Sequence, residues 1–434
     1  MKRYLIVGSG AAGYAAAGTI RRHDSSGEII IFSAEEDGYY SRPALAYYLS
    51  REINKKSLHP LNRTDLEKQN INLEHRLITD INPEEKTIID SKQNKMAYDR
   101  LLLATGAMAV CPEIEGHSLD GVVYLDSLAQ TVEMIRKSKR GKKAIVAGGG
   151  ITALEIVEGL QARNMEVHFL LRGNHYWNRV LDQQESELIL TRLAAEGVRI
   201  HKNTEVVKLA GRKGKLEEVY LSTGEKINTN LAAFAIGIRP RTKLASAAGL
   251  TVKRGVRVNQ FMETSCESIY AAGDVAEVYD PNTGNWVLDS LWPIARQHGI
   301  IAGKNMAGIK EPIKRRSPIN VTRLAGLTTT IIGRVGQPAP EDECQIVRGE
   351  SESWQLMPDA VVCQNNFDVN RLRLMVGKEF LLGALLIGDQ SLSRILEDLI
   401  MNQTLITPIR EQLISPGEDI RSILINFWQG NGQL

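Results

Sequence analysis

The 434-residue chain is poor in cysteine: it has four, Cys111, Cys266, Cys344 and Cys363, and no two stand in a C-x-x-C or C-x-x-x-x-C arrangement. Iron–sulfur clusters and redox-active disulfides need such closely spaced thiols, so the chain is expected to carry neither. Each cysteine is read singly as a small buried hydrophobe. Charge of one sign is also missing. The formal net charge of +2 creates no global field to draw in nucleic acid or an anionic membrane. Long apolar runs are absent too: Leu231–Ile236 and Ala384–Ile387 fall far short of the roughly 20 residues of a membrane span. The basic start Lys2-Arg3 leads into an apolar stretch that stops at Gly8, too short for a secretory signal. The expectation is a cytoplasmic protein with no membrane span, no nucleic-acid partner and no metal centre.

What is present is ordinary in bulk, 43% hydrophobic and 24% charged, and long enough for roughly two to four domains. The informative features are two glycine-rich turns. Gly8-Ser-Gly10-Ala-Ala-Gly13 follows the apolar run Tyr4–Val7, opens the small-residue stretch Ala11–Ile20, and is followed by a second apolar run, Glu28–Phe32. In a strand–turn–helix unit of this kind Gly8 allows the tight turn, Gly10 lets backbone approach a pyrophosphate, and Gly13 permits close packing of helix on strand. The helix start then offers N–H groups and a positive dipole end to the phosphates, with Ala11 and Ala12 in its first turn. Glu35 lies about twenty residues beyond the turn, where an acid can accept from an adenosine ribose; Glu36 and Asp37 compete for that role. The second turn, Gly148-Gly-Gly150-Ile151-Thr-Ala153, sits between the run Ala144–Ala147 and another amphipathic stretch. Two dinucleotide sites in one chain suggest an electron relay in which a resident dinucleotide is charged by an exchangeable one.

Tyr98–Leu103 reads as a buried strand ending in the small-residue turn Ala104-Thr105-Gly106, a third phosphate-proximal candidate. Val167–Leu171, the helical pattern Gln184–Glu196, hairpin segments within Glu205–Leu221 and the run closing at Gly237 complete a second unit. The strand Ile269–Ala272 then stops at Gly273-Asp274, and a helix begins near Pro293. The Pro-containing basic stretch Glu311–Pro318 marks a boundary. Alternation over Thr328–Ile332, Arg371–Val376 and Glu379–Ile387 predicts an antiparallel sheet, with helices over Leu392–Asn402 and Ile420–Trp428. The fold class is therefore α/β: two Rossmann-like dinucleotide-binding domains plus a C-terminal α+β domain. The boundaries expected are 1–118 with 242–312, a discontinuous first domain; 119–241; and 313–434.

These residues resemble the pyridine nucleotide-disulfide oxidoreductase superfamily, and within it the branch of rubredoxin reductases, oxygenase-coupled ferredoxin reductases and the flavin segment of assimilatory nitrite reductase. The resemblance is carried by Gly8–Gly13, Tyr40-Ser-Arg42-Pro43, Leu103–Gly106, Gly148–Glu155, Tyr270–Glu277 and Leu291–Gly299. It implies FAD in the first domain and NAD(P)H in the second. Gly8, Gly10, Ala11, Ala12 and Gly13 would then cradle the FAD pyrophosphate with Ala104, Thr105 and Gly106 alongside. Arg42, next to Pro43, would help neutralise it, and Gly273-Asp274 would accept from the ribityl or phosphate region, a role the Ala271-Ala-Gly-Asp274 turn behind an apolar strand favours over capping the next helix. Trp292 would lie against the flavin edge, and Glu155 would point toward the nicotinamide–flavin junction. Gly148, Gly150, Ile151, Ala153 and Gly237 would belong to the NAD(P)H site. Two departures stand out. Tyr47 occupies a place where the branch often has a lysine, and the paired cysteines of disulfide reductases are missing around Tyr39–Pro43, which discards disulfide reduction.

An acid at the end of the second strand normally holds the 2′-hydroxyl of NADH, whereas a 2′-phosphate needs arginine. Leu171 stands in the acid's place, Arg172 follows, and Arg179 and His175 are within loop reach, which tilts the reading to NADPH with NADH still possible. The expected partner is an iron–sulfur carrier or redox enzyme subunit, in a homodimer or larger complex. Two alternatives stay open: an NAD(P)H oxidase or quinone reductase, and a flavin-bearing structural or redox-sensing subunit. Phe427 and Trp428 could belong to a subunit interface or to the core.

Overall fold

A computed structural model describes residues 1–60, 63–280, 284–314, 317–336, 348–351, 361–367, 370–415 and 417–431; Cys344 lies outside them. The first sheet has five parallel strands in the spatial order Ile269–Ala271, Arg100–Leu103, Arg3–Val7, Glu28–Ser33, Ile71–His75. Tyr4, Leu5 and Ile6 of its central strand are wholly buried, as expected of a parallel sheet covered on both faces. One strand of this sheet, Ile269–Ala271, comes from beyond the second sheet in the chain and pairs with Arg100–Leu103. The second sheet is also parallel, in the order Arg199–His201, Glu166–Leu170, Lys143–Ala147, Ala232–Phe234, Val122–Val123. The chain crosses between the two through an antiparallel ribbon of Ala107–Ala109 and Ile238–Pro240. Ile114, which the sequence reading groups with the first unit, packs against the second unit's apolar cluster.

The third unit is a five-stranded antiparallel sheet ordered Ile319–Leu324, Leu327–Gly333, Leu381–Ile387, Asn370–Val376, Val361–Phe367, followed by helices Ser393–Met401, Arg410–Ile414 and Ile420–Asn431. The alternating segments fall where the sequence predicts. The strand Ile319–Leu324 gives no such signal because it is an edge strand whose Val321 is left 61% exposed. Phe427 and Trp428 pack on this unit's own core, and the Trp428 indole donates to Asp398 at 3.2 Å. Cys266 is half-buried. Cys111, expected in a core, is exposed instead, its sulfur 3.0 Å from the Tyr124 hydroxyl. No helix among the described residues is long and apolar enough to cross a membrane.

Two contacts fix the arrangement, one inside the first unit and one between the second and third units. The helix Ala11–His23 crosses the helix Trp292–Met306 with backbones touching: a methyl on Gly299 would lie 2.1 Å from the Ala12 carbonyl oxygen, and one on Gly303 would lie 2.7 Å from that of Ala16. Between the second and third units, buried Arg373 donates to Glu185 at 2.9 Å, to the Val335 carbonyl at 3.2 Å and to the Val180 carbonyl. Arg371 adds Gln184 at 2.8 Å and Asp182 at 3.2 Å. Burial pushes the Glu185 carboxyl up, and Arg373 pulls against that shift. Removing one partner of such a pair leaves a buried charge uncompensated. Arg373→Ala should therefore lower the unfolding free energy by about 3–5 kcal/mol, read from the denaturant midpoint. A loss below about 1 kcal/mol, the size of an ordinary surface change, would remove the clamp from this account.

Candidate functional site

A cavity of 1820 Å³ opens at the C-terminal ends of the first sheet's strands and is lined by residues of all three units. It exceeds the roughly 300–1,000 Å³ usual for one small ligand. Its position follows the rule that open α/β sheets bind ligands beyond the carboxyl ends of their strands. Gly8 turns with φ +120°, and a methyl there would lie 2.1 Å from the Ala104 carbonyl oxygen; one on Gly13 would lie 2.0 Å from that of Gly8. Gly10 differs from both: nothing stands within 4 Å of the place its methyl would take. The helix Ala11–His23 starts at Gly10 with no side-chain cap, so its first N–H groups face the cavity unclaimed by side chains. Ala11, Ala12, Ala104, Thr105 and Gly106 line the same wall. A tight turn, an open glycine and an uncapped helix start fit a dinucleotide pyrophosphate.

Charges are placed around this cradle by distant parts of the chain. Arg42 donates to Glu35 at 2.6 Å and to the Asp126 carbonyl, and the Tyr40 hydroxyl donates to Glu35 at 2.5 Å. Glu35 and Pro43 line the cavity, whereas Glu36 and Asp37 do not. Asp126, 4% exposed, holds Arg241 at 3.3 Å and also pairs with Arg348. Asp274 lines the cavity beside Gly273; burial pushes its carboxyl up, against the pull of Arg348 and Arg42. Trp292, 41% exposed, starts the helix that crosses Ala12 and faces the same space. Tyr47 lines it too, with the Arg323 guanidinium 5.8 Å from its ring centre. That arginine is itself paired with Glu52 through both carboxylate oxygens, at 2.9 and 2.5 Å.

The second glycine turn meets the cavity by one helix face. Gly148 turns with φ +153°, and a methyl there would lie 2.3 Å from the Ala235 carbonyl oxygen. The helix Ile151–Gln161 starts at Gly150, again with no side-chain cap. Ile151, Thr152 and Glu155 line the cavity; Gly148, Gly150, Ala153, Arg172, Arg179 and Gly237 do not. Ala153 is fully buried, and the Gly237 carbonyl accepts from the Val110 N–H at 3.0 Å, next to the crossover ribbon. Burial pushes Glu155 up to about 8, helped by Glu158 and opposed by Arg348. Glu158 itself is pushed up to about 7, mainly by burial. Arg172 is exposed, and Arg179 lies 3.9 Å from Glu350. Asp126, Arg241 and Arg348 were not anticipated. Each is a lone charged residue without a local pattern, and all three enter the site through contacts more than eighty positions long in sequence: Asp126 with Arg42, and Arg241 and Arg348 with Asp126.

Two parallel sheets, each ending in a glycine turn and an uncapped helix, with a shared cavity between them, define an oxidoreductase that brings two dinucleotides together. The profile of one family, pyridine nucleotide-disulphide oxidoreductase, matches residues 2–299. The chain belongs to that family, and is an FAD-dependent oxidoreductase that uses NAD(P)H. It is 33% identical over 325 residues to an NADH oxidase of Methanocaldococcus jannaschii, covering 71% of this chain and 70% of that protein. It is 34% identical over 314 residues to a rubredoxin-NAD(+) reductase of Ectopseudomonas oleovorans, covering 71% and 80%. Among solved structures, the putidaredoxin reductase in its covalent complex with putidaredoxin superposes with a TM-score of 0.85 at 22% identity over 98% of each chain, a likeness of fold.

The open space at Gly10 gives a direct test. Gly10→Ala adds a methyl that touches no protein atom, so the flavin-free variant should melt near the flavin-free unaltered chain. The same methyl would enter the space that fits a pyrophosphate, and flavin absorbance per purified chain should fall several-fold, with the stabilisation that bound flavin gives falling alongside. Full flavin loading in Gly10→Ala would contradict this placement.

Proposed function

We propose that the chain takes electrons from NADPH and passes them through FAD to a separate iron–sulfur protein or partner subunit. The observation that carries this reading is that one cavity joins the Gly10 cradle to the Ile151–Glu155 face of the second nucleotide-binding helix. Bound FAD supplies the chemistry: it accepts a hydride, two electrons with one proton, from the nicotinamide and surrenders the electrons singly. The protein's own residues bind and align. Gly10 and the first turn of the helix Ala11–His23 hold the pyrophosphate, Arg42 offsets its charge, Glu35 receives the adenosine ribose, and Asp274 receives the ribityl or phosphate region. Trp292 flanks the ring and keeps water from its edge. Glu155, on the cavity wall, would face the junction of the two nucleotides, and burial keeps it protonated until the pH passes about 8. Hydride transfer needs the reacting atoms at about 3–3.5 Å, and the residues above would serve to align the two nucleotides for it, with no general base required.

The iron–sulfur acceptor is supported by the rubredoxin reductase relative and by the sequence, which has no clustered cysteines to hold a cluster of its own. A larger complex would bring the two proteins together, and the chain itself would act as a homodimer or as one subunit of that complex. The NADH oxidase relative supports a second reading, in which oxygen takes the electrons directly. Stopped-flow bleaching of the flavin by NADPH, followed by mixing of the reduced chain with oxidised rubredoxin, oxidised ferredoxin or oxygen, separates the two. Reoxidation by an iron–sulfur protein should outpace that by oxygen at least ten-fold, on the order of 1.4 kcal/mol in barrier. Fast turnover with oxygen alone favours the oxidase reading.

Preference for NADPH rests on Arg172 and on the absence of an acid at Leu171. Arg172→Ala should raise KM for NADPH about ten-fold or more while leaving that for NADH within about two-fold, the loss of roughly one charge-assisted contact. Equal effects on both cofactors would refute the preference.

A further inference from the structure

The segment Arg348–Ser351 reaches from the third unit and lies along Asp289–Ser290, just before the helix that begins at Trp292. The Ser290 N–H and hydroxyl both donate to the Glu350 carbonyl at 3.1 Å, and the Gly349 N–H donates to the Ser290 carbonyl at 3.2 Å. Asn320 donates to the Gly349 carbonyl at 3.1 Å, and the Ser351 hydroxyl donates to Asp289. A methyl on Gly349 would lie 3.4 Å from Ile151. The strap therefore runs through the seam between the Trp292 helix and the first turn of the second nucleotide-binding helix.

Its two charged side chains serve opposite sides of that seam. Glu350 is buried against the second unit, where it accepts from the Trp177 indole and lies 3.9 Å from Arg179. Trp177 in turn donates its backbone N–H to the Gly149 carbonyl at 3.0 Å, inside the second glycine turn. Arg348 turns the other way, lines the cavity and pairs with Asp126. Of the acids on the cavity wall, Glu35 is matched by Arg42 and Asp126 by Arg241 and Arg348. Asp274 and Glu155 are the two on either side of the expected ring junction, and the charge of Arg348 reaches both.

We propose that Arg348 is a positioning residue for electron entry: held by a strap that also grips Trp177, it fixes a positive charge among Asp126, Asp274 and Glu155 at the junction of the two nucleotides. A hydride that arrives at a neutral ring brings negative charge with it. A guanidinium already fixed nearby stabilises that charge without reorganisation. The inference rests on the FAD and NADPH reading above and adds to it a residue contributed by the third unit.

The test uses the full chain with flavin bound, comparing Arg348→Gln, Arg348→Lys and Glu350→Gln. Dye-equilibrated reductive titration should place the midpoint potential of Arg348→Gln below that of the unaltered chain. Its limiting rate of bleaching by NADPH should fall on the order of ten-fold, with the apparent Kd for NADPH changed less. Arg348→Lys should return the potential toward its original value, and Glu350→Gln should leave it in place. A flavin-loaded Arg348→Gln with unchanged potential and limiting rate would overturn the proposal. So would a Glu350→Gln shift as large as that of Arg348→Gln, which would assign the effect to strap packing. Should Arg348→Gln fail to fold, a clearly more negative potential in Arg348→Lys would overturn it. An unaltered chain that binds no flavin would instead remove the underlying FAD reading.

Discussion

The site depends on two helices that touch through their backbones. Ala12 and Ala16 on one side meet Gly299 and Gly303 on the other, and a methyl at Gly299 would collide with the Ala12 carbonyl at 2.1 Å. Interiors packed to crystal-like density cannot absorb such an overlap without moving a whole element. The contact therefore sets where the helix Trp292–Met306 lies, and with it Trp292 and the strap pairing at Ser290. Gly273 belongs to the same constraint, since a methyl there would lie 3.1 Å from the Ala12 methyl. The first turn of one helix is thus the reference point for the cavity wall, which is completed by residues nearly three hundred positions away in the chain.

Electrostatics then selects among the arrangements that this packing allows. Asp126 is almost fully buried, and a lone carboxylate in that place would be costly. Arg241 and Arg348 offset it, and Arg42 takes its backbone carbonyl. These three arginines come from three regions of the sequence, so their meeting ties the first unit, the crossover ribbon and the C-terminal strap to one point. Arg373 and Glu185 repeat the device between the second and third units. A charge left without its partner in either place would be expensive, which gives the inter-unit geometry a specificity that apolar contact alone lacks.

Much of the fold was legible because its signals are local. A buried parallel strand followed by glycines at fixed offsets is a requirement of a few consecutive residues, and the first turn behaves as expected at each of them: tight at Gly8, open at Gly10 and closely packed at Gly13. In the third unit Val361–Phe367 was not anticipated, whereas the three inner strands, Leu327–Gly333, Leu381–Ile387 and Asn370–Val376, show in their alternation for the same reason. The edge strand Ile319–Leu324 does not, because an exposed edge has no obligation to alternate. Cys111 was misread through a base rate for cysteine burial that its exposed position beside Tyr124 does not follow. Asp126 carries no local signal of its own; it precedes Ser127, which caps the helix Leu128–Lys137 by accepting from the Gln130 N–H.

Sequence by itself determined that the chain is a two-dinucleotide α/β protein of this family, without cysteines spaced for a redox centre. Those properties depend on residue types at short spacings, where backbone geometry leaves few choices. Only the tertiary structure decided that Glu35 pairs with Arg42, that Arg179 faces Glu350, and that Arg348 enters the cavity from the third unit. Such pairings depend on how separately folded surfaces are pressed together, and no short-range pattern in the chain records which distant charge will lie opposite which.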